Sequence, residues 1–156
     1  YERLSEESGP FLLETIDRLE SGTFRPAPQD DSLATPAPRI TAEDAMIDFG
    51  FPAENVRNFI RGLSTVPGAY TWFRDDKVKI LSCTVVDARP EPGTRPGSVL
   101  TDRKRLIIAC AKSAIEVTSI VPEGKRAMDG ASFLNGFRPE PGEVFGEHAA
   151  TAERKH

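Results

Sequence analysis

The stretch Thr23 to Ile40 carries four prolines and no amphipathic period, and nothing else in the sequence constrains the fold as much. Proline fixes φ and removes a backbone donor, so this composition reads as an extended, semi-rigid connector rather than a helix or a strand. It divides the chain unequally. Upstream, Leu12, Ile16 and Leu19 recur at i, i+4 and i+7 beside Phe11 and Leu13, which predicts a helix over residues 10–21 with Pro10 in its first turn and Gly22 at its stop. That apolar stripe has no partner element before it and is too wide to leave in water, so it belongs with something outside the chain or packs back on the residues after the connector.

The chain as a whole, 156 residues of which 38% are hydrophobic, has enough for one compact core of ordinary size. Thr41-Ala42-Glu43-Asp44 has the pattern of a capping box and predicts a short helix through Asp48. Pro52 opens a second helix whose face is Val56, Phe59, Ile60 and Leu63. From Ala69 the period becomes two. Tyr70 to Phe73 and Lys77 to Val86 flank the turn Arg74-Asp75-Asp76, and Ser98 to Thr101, Arg105 to Cys110 and Ser113 to Val121 come after a Pro/Gly loop over 87–97 as short strands. Five short strands predict a small closed or nearly closed barrel, because a flat sheet of that size leaves exposed edges. A last helix is expected over Ala127 to Asn135, and residues 148–156 offer nothing to bury and read as a frayed tail. The expected class is α+β, mainly β, with short flanking helices.

Charge narrows the function. The formal net charge is −4, which argues against indiscriminate coating of polyanions, yet residues 69–126 hold 11 basic and 7 acidic side chains. Lys77, Lys79, Arg103, Lys104, Arg105, Lys112, Lys125 and Arg126 fall there at strand ends and turns. They suit phosphate contacts, and equally the protection of strand edges. No apolar run reaches the roughly 20 residues that span a bilayer. Cys83 and Cys110 form no CxxC pair and read as small buried hydrophobes in a reduced, cytoplasmic setting. The two histidines, His148 and His156, lie in or beside the weak tail, and no phosphate loop, GxSxG, HExxH or Cys/His cluster occurs. Asp30-Asp31 and Asp75-Asp76 read as solvated turn carboxylates rather than a paired acid and base. The residues by themselves point to a binding module more than to an enzyme, with no catalytic, cofactor-binding or metal-binding residue assigned.

Three segments in fixed order then resemble the C-terminal part of the methionyl-tRNA formyltransferase family. The first is Gly22, Pro28-Gln29-Asp30 and Ala34 to Asp44, with Ile47-Asp48-Phe49 after it. The second is Asn58 to Leu63 with Pro67-Gly68-Ala69-Tyr70-Thr71 and Lys79-Ile80. The third is Pro122 to Met128 with Phe133-Leu134-Asn135-Gly136. Together they run over most of the chain.

The resemblance implies that residues 1–22 are the last helix of an N-terminal Rossmann-like catalytic domain otherwise outside this chain. It implies that 23–42 are the linker and that 43–147 are an OB-like domain that helps hold initiator tRNA for formylation of its methionyl amino group. The family's catalytic Asn, His and Asp and its site for the co-substrate 10-formyltetrahydrofolate belong to that other domain, so the resemblance implies a fragment inactive by itself. Arg39 matches a basic linker position that faces tRNA, and Lys125 and Arg126 match a basic turn. Arg103, Lys104 and Arg105 lie outside the motifs and are candidates on charge alone. Arg61, beside Gly62, reads as structural. One departure is Val66-Pro67, where the family commonly has Trp-Pro. Sugar-nucleotide formyltransferases and the hydrolase part of formyltetrahydrofolate dehydrogenase share the two-domain plan without binding tRNA, and a free-standing OB module would need exposed aromatics. Tyr70, Trp72 and Phe73 are the candidates for those, and at least one must point inward.

Overall fold

A computed structural model describes residues 2–100 and 104–146. The chain divides into two compact units, Tyr1–Pro38 and Arg39–His156. In the first, helix α1 runs Glu2–Glu20, eight residues further upstream than the periodicity predicts, with Pro10 inside it rather than in its first turn. Glu2 to Glu7 are mostly strong helix formers and carry an i,i+4 ion pair, Arg3 Nε to Glu7 Oε1 at 3.0 Å, so one missing hydrogen bond at Pro10 does not stop the helix. Phe11, Leu12, Leu13, Ile16 and Leu19 are exposed on it. A single 3₁₀ turn, Asp31–Leu33, interrupts the connector, capped by the Asp30 carboxylate, which accepts from Ser32 N–H at 3.0 Å.

The second unit is α+β around one curled antiparallel sheet. The strands are β1 (Tyr70–Phe73), β2 (Asp76–Val86), β3 (Ile107–Ala109) and β4 (Ala114–Pro122), in the order β1-β2-β4-β3. Helices α2 (Ala53–Leu63) and α3 (Gly130–Phe137) accompany it. The sheet curls because β2 is bulged between Ile80 and Cys83, where its register against β4 shifts twice. Val78, Ile80, Ile115, Val117 and Ile120 point inward and are fully buried. Phe73 stacks on Phe145 with centroids 4.6 Å apart and meets Phe133 edge-on at 5.5 Å, which joins the first hairpin, α3 and the C-terminal segment in one core.

The five-stranded barrel expected from the sequence is not what forms. Of the expected strand Ser98 to Thr101, whose last residue lies outside the described residues, Ser98 and Val99 contribute single bridges, to Val144 and Ile108, and Phe145 bridges Phe73 of β1. The cause is local. Gly97 sits at φ +90° against the Phe145 carbonyl, so the chain enters this run through a bend and its Val99 N–H turns to Glu143 O at 2.7 Å rather than into a continued ladder. The helix expected through Asp48 shrinks to one 3₁₀ turn, Glu43–Ala45. Its capping box is present, with the Asp44 carboxylate accepting from Thr41 N–H and Oγ1 at 2.8 Å each. The chain then leaves the helix because Ile47 N–H donates to Tyr70 O. Helix α3 starts later than Ala127 because Met128 is still bridged to Ile120, and Asp129 is its N-cap. The tail over 148–156, with both histidines, lies outside the described residues.

Candidate nucleic-acid interface

The connection from β4 to α3 carries two of the basic residues, Lys125 and Arg126. The β-turn after Pro122 is closed by Lys125 N–H donating to Pro122 O at 3.0 Å, and Ile120 and Met128 exchange both backbone hydrogen bonds behind it. Lys125 and Arg126 are held out on this rigid loop, both exposed. Glu123 N–H donates to Lys77 O at 2.9 Å, which seats the loop beside the β1–β2 hairpin. Pairing of Trp72 with Lys77 and Tyr70 with Lys79 places those four side chains on the sheet face opposite Phe73. The Lys77 ammonium lies 3.8 Å from the Tyr70 ring centroid, and Lys79 Nζ donates to Pro67 O at 2.9 Å. Phe73 is the inward aromatic, while Tyr70 and Trp72 are half-buried and meet edge to face at 6.4 Å.

Lys104 and Arg105 come to the other end of the same connection. They line a small pocket of about 260 Å³ with Thr118 and the α3 start, Asp129 to Ala131. Arg105 Nη1 lies 3.7 Å from Glu116 Oε2, with the Arg105 side chain half exposed. The β4–α3 connection thus links four of the candidate cations. Arg39 is exposed, two residues before the Thr41 capping turn, and no hydrogen bond or ion pair joins it to the others among the described residues. Arg103 lies outside the described residues.

Sequence reasoning missed two features. Arg74, read as a turn residue, donates from Nε and Nη2 to both Glu143 oxygens at 3.0 and 3.1 Å and from Nη1 to Phe137 O. Nothing in the local sequence of Arg74 signals a partner 69 positions away. The second is a cleft of about 800 Å³ between α2 and β2, lined by Arg57 and Arg61 on the helix side. Burial pushes the Cys83 thiol up to about 11 and the Cys110 thiol to about 12, so neither presents a thiolate at neutral pH.

The β4–α3 loop thus presents two exposed cations next to a hairpin whose Tyr70 and Trp72 are half-buried, an arrangement whose charge suits contact with an anion. The family described as formyl transferase, C-terminal domain, matches residues 39–138. The chain belongs to this family. Methionyl-tRNA formyltransferase of Carboxydothermus hydrogenoformans is 40% identical over 144 residues, covering 91% of this chain and 46% of the relative. The enzymes of the same name from Chlorobium phaeovibrioides and Bacillus velezensis are 38% and 36% identical and cover 93% and 94% of the chain. The chain therefore spans about half the length of these relatives, 46% in each. HypX from Aquifex aeolicus shares the family fold, with a TM-score of 0.62 at 20% identity over 81% of this chain and 22% of that one. A second HypX structure, in complex with tetrahydrofolic acid, gives 0.59.

Proposed function

We propose that this chain is the C-terminal, tRNA-holding part of a methionyl-tRNA formyltransferase, a cytoplasmic enzyme of translation initiation. The carrying observation is identity of 36–40% to three enzymes of that name over more than 90% of the chain. In this reading the second unit is the OB-like domain that grips initiator tRNA through its phosphates. Arg39 and the Lys125–Arg126 loop supply cations, with Arg103, Lys104 and Arg105 extending the track. The formyl donor, 10-formyltetrahydrofolate, and the catalytic groups belong to the N-terminal domain of the longer protein, and no residue of this chain is assigned to either. Sugar-nucleotide and other formyltetrahydrofolate-dependent enzymes share the plan, but HypX stands at 20% identity and speaks for the fold alone.

Filter binding of this chain to initiator tRNA tests the reading. Retention of tRNA at low salt that falls steeply as salt rises is expected. A chain that retains no tRNA at any ionic strength overturns it.

A further inference from the structure

Strand β2 is longer than the strand that covers its outer edge. Strand β1 pairs with it only from Asp76 to Lys79, and Ala69 O takes one more bond, from Ile80 N–H. From Leu81 to Val86 no backbone hydrogen bond reaches that side among the described residues. Which groups face it is set by β4. Val117 N–H donates to Leu106 O at 2.9 Å, so Val117, and by alternation Ile115, face β3, while Ala114 and Glu116 face β2 and engage Val86 and Thr84 opposite them. The main chain of Cys83 and Val85 is left aimed away from β4.

The cleft of about 800 Å³ lies along this edge and is lined by every residue from Leu81 to Asp87. Helix α2 forms its other wall and runs opposite to β2. Its first end is fixed by Ala111 N–H donating to Phe51 O, near the β3–β4 turn, and its last by Gly68 N–H donating to Leu63 O, near Ile80. Arg61 therefore lies toward Leu81, and Glu54 and Asp87 lie toward Val86. Glu54 is committed to Arg57 at 2.9 Å. Arg57 Nε is buried without an acceptor, and neither Arg61 nor Asp87 has a hydrogen bond or ion pair among the described residues. The cleft thus has unsatisfied main-chain groups along one wall, an unpaired cation at one end and an unpaired anion at the other.

We propose that this cleft binds an extended peptide as an added strand antiparallel to β2, with a basic residue on its N-terminal side and an acidic residue on its C-terminal side. The antiparallel direction, which both β1 and β4 take against β2, fixes that order. A strand antiparallel to β2 begins beside Val86 and Asp87 and ends beside Leu81 and Arg61, so its charges meet their opposites only in this sequence. Its main chain completes the ladder on Cys83 and Val85, and its apolar side chains lie over the half-buried Cys83 and Val85. A second copy of this chain fits less well. Edge-to-edge antiparallel pairing of two β2 strands brings both α2 helices, each the wall of its own cleft, to one face of the joined sheet, where they crowd each other. The inference stands apart from tRNA binding, since the cleft shares no residue with the proposed tRNA track.

The test is fluorescence anisotropy of this chain with the labelled peptide acetyl-Lys-Thr-Val-Thr-Val-Thr-Glu-amide, its charge-reversed counterpart with Glu first and Lys last, and the first peptide with N-methylated backbone amides. Saturable binding of the first peptide is expected, about tenfold tighter than of the reversed one, with the N-methylated peptide at least tenfold weaker. The double variant Arg61→Glu with Asp87→Lys, both exposed positions, should invert the charge preference. Equal affinity for both charge orders, equal binding of the N-methylated peptide, or no saturation by any of them overturns the proposal. So does spontaneous, complete disulfide dimerisation of a Thr84→Cys variant, which would make the occupant a second copy centred on Thr84.

Discussion

Arg74 adopts φ +55°, a left-handed conformation that costs a non-glycine residue energy, and its side chain supplies the compensation. The guanidinium spans Glu143 in a two-bonded fork, takes in Phe137 O, and lies 4.8 Å from the Phe73 ring centroid. One residue thereby ties the first hairpin to the segment after α3. The hydrogen bonds from Arg74 hold the Glu143 carboxyl below its ordinary value. A carboxylate whose pKa is lower folded than unfolded contributes stability that is complete above its ordinary value near 4.5 and is lost as pH falls through the lowered one. Arg74→Ala should therefore destabilise the domain by about 1 kcal/mol at neutral pH, discounted for the half-exposed pair. The gap to the parent should narrow under acid, and thermal melts at pH 7 and pH 3 would read both. Gly97 is the other residue on which this corner depends. A Cβ there would collide with the Phe145 carbonyl at a backbone angle that disfavours side chains. Gly97→Ala should cost about 1–3 kcal/mol, measured by urea denaturation, and an unchanged midpoint would mean the corner relaxes freely.

At the scale of elements, α2 shows what periodicity conveys well. Val56, Ile60 and Leu63 are spaced as a helix face, and all are buried. The sheet shows what it conveys badly. Ser98 and Phe145 are buried as strand residues are, yet they join their neighbours through single bridges to Val144 and Phe73, partners remote in sequence, and no local pattern encodes that pairing. The capping box at Thr41 was legible as a motif and misleading as a length, because Tyr70 O captures the Ile47 amide and ends the helix. Helix α1 makes the reverse case. Its stripe was visible, but Pro10 concealed the upstream half. With Leu12 59% and Leu19 51% exposed, that stripe should associate when the chain is studied by itself, since burying one such side chain is worth roughly 1.5–3 kcal/mol. Replacing both Leu12 and Leu19 by Glu should give a monomer by light scattering with the sheet intact by circular dichroism. An oligomer that persists uses another surface.

Over the whole molecule, the net charge of −4 conceals an uneven distribution, and that distribution decides what the domain can hold. Sequence counting found the basic stretch, but it could not say that Lys104 and Arg105 reach the same connection as Lys125 and Arg126. That depends on β4 and α3 meeting around Leu106 and Gly130, where an added Cβ would stand 2.5 Å from Val117 O. Nor could it show that Arg74 is engaged by Glu143. If the exposed set contacts phosphates, each neutralised phosphate releases counterions and steepens the salt dependence of binding by about 0.9 in log–log slope for duplex contacts. Replacing Arg39, Lys125 and Arg126 by Ala should then flatten the slope for tRNA by roughly 2–3 units and weaken initiator and elongator tRNAs alike, because phosphate contacts carry no base information. All three side chains are exposed, so the variant should melt with the parent, and a loss of affinity is then a loss of contacts. Wild-type affinity with an unchanged slope would return these residues to the role their positions also suit, charges that keep turns and strand edges from pairing with other chains.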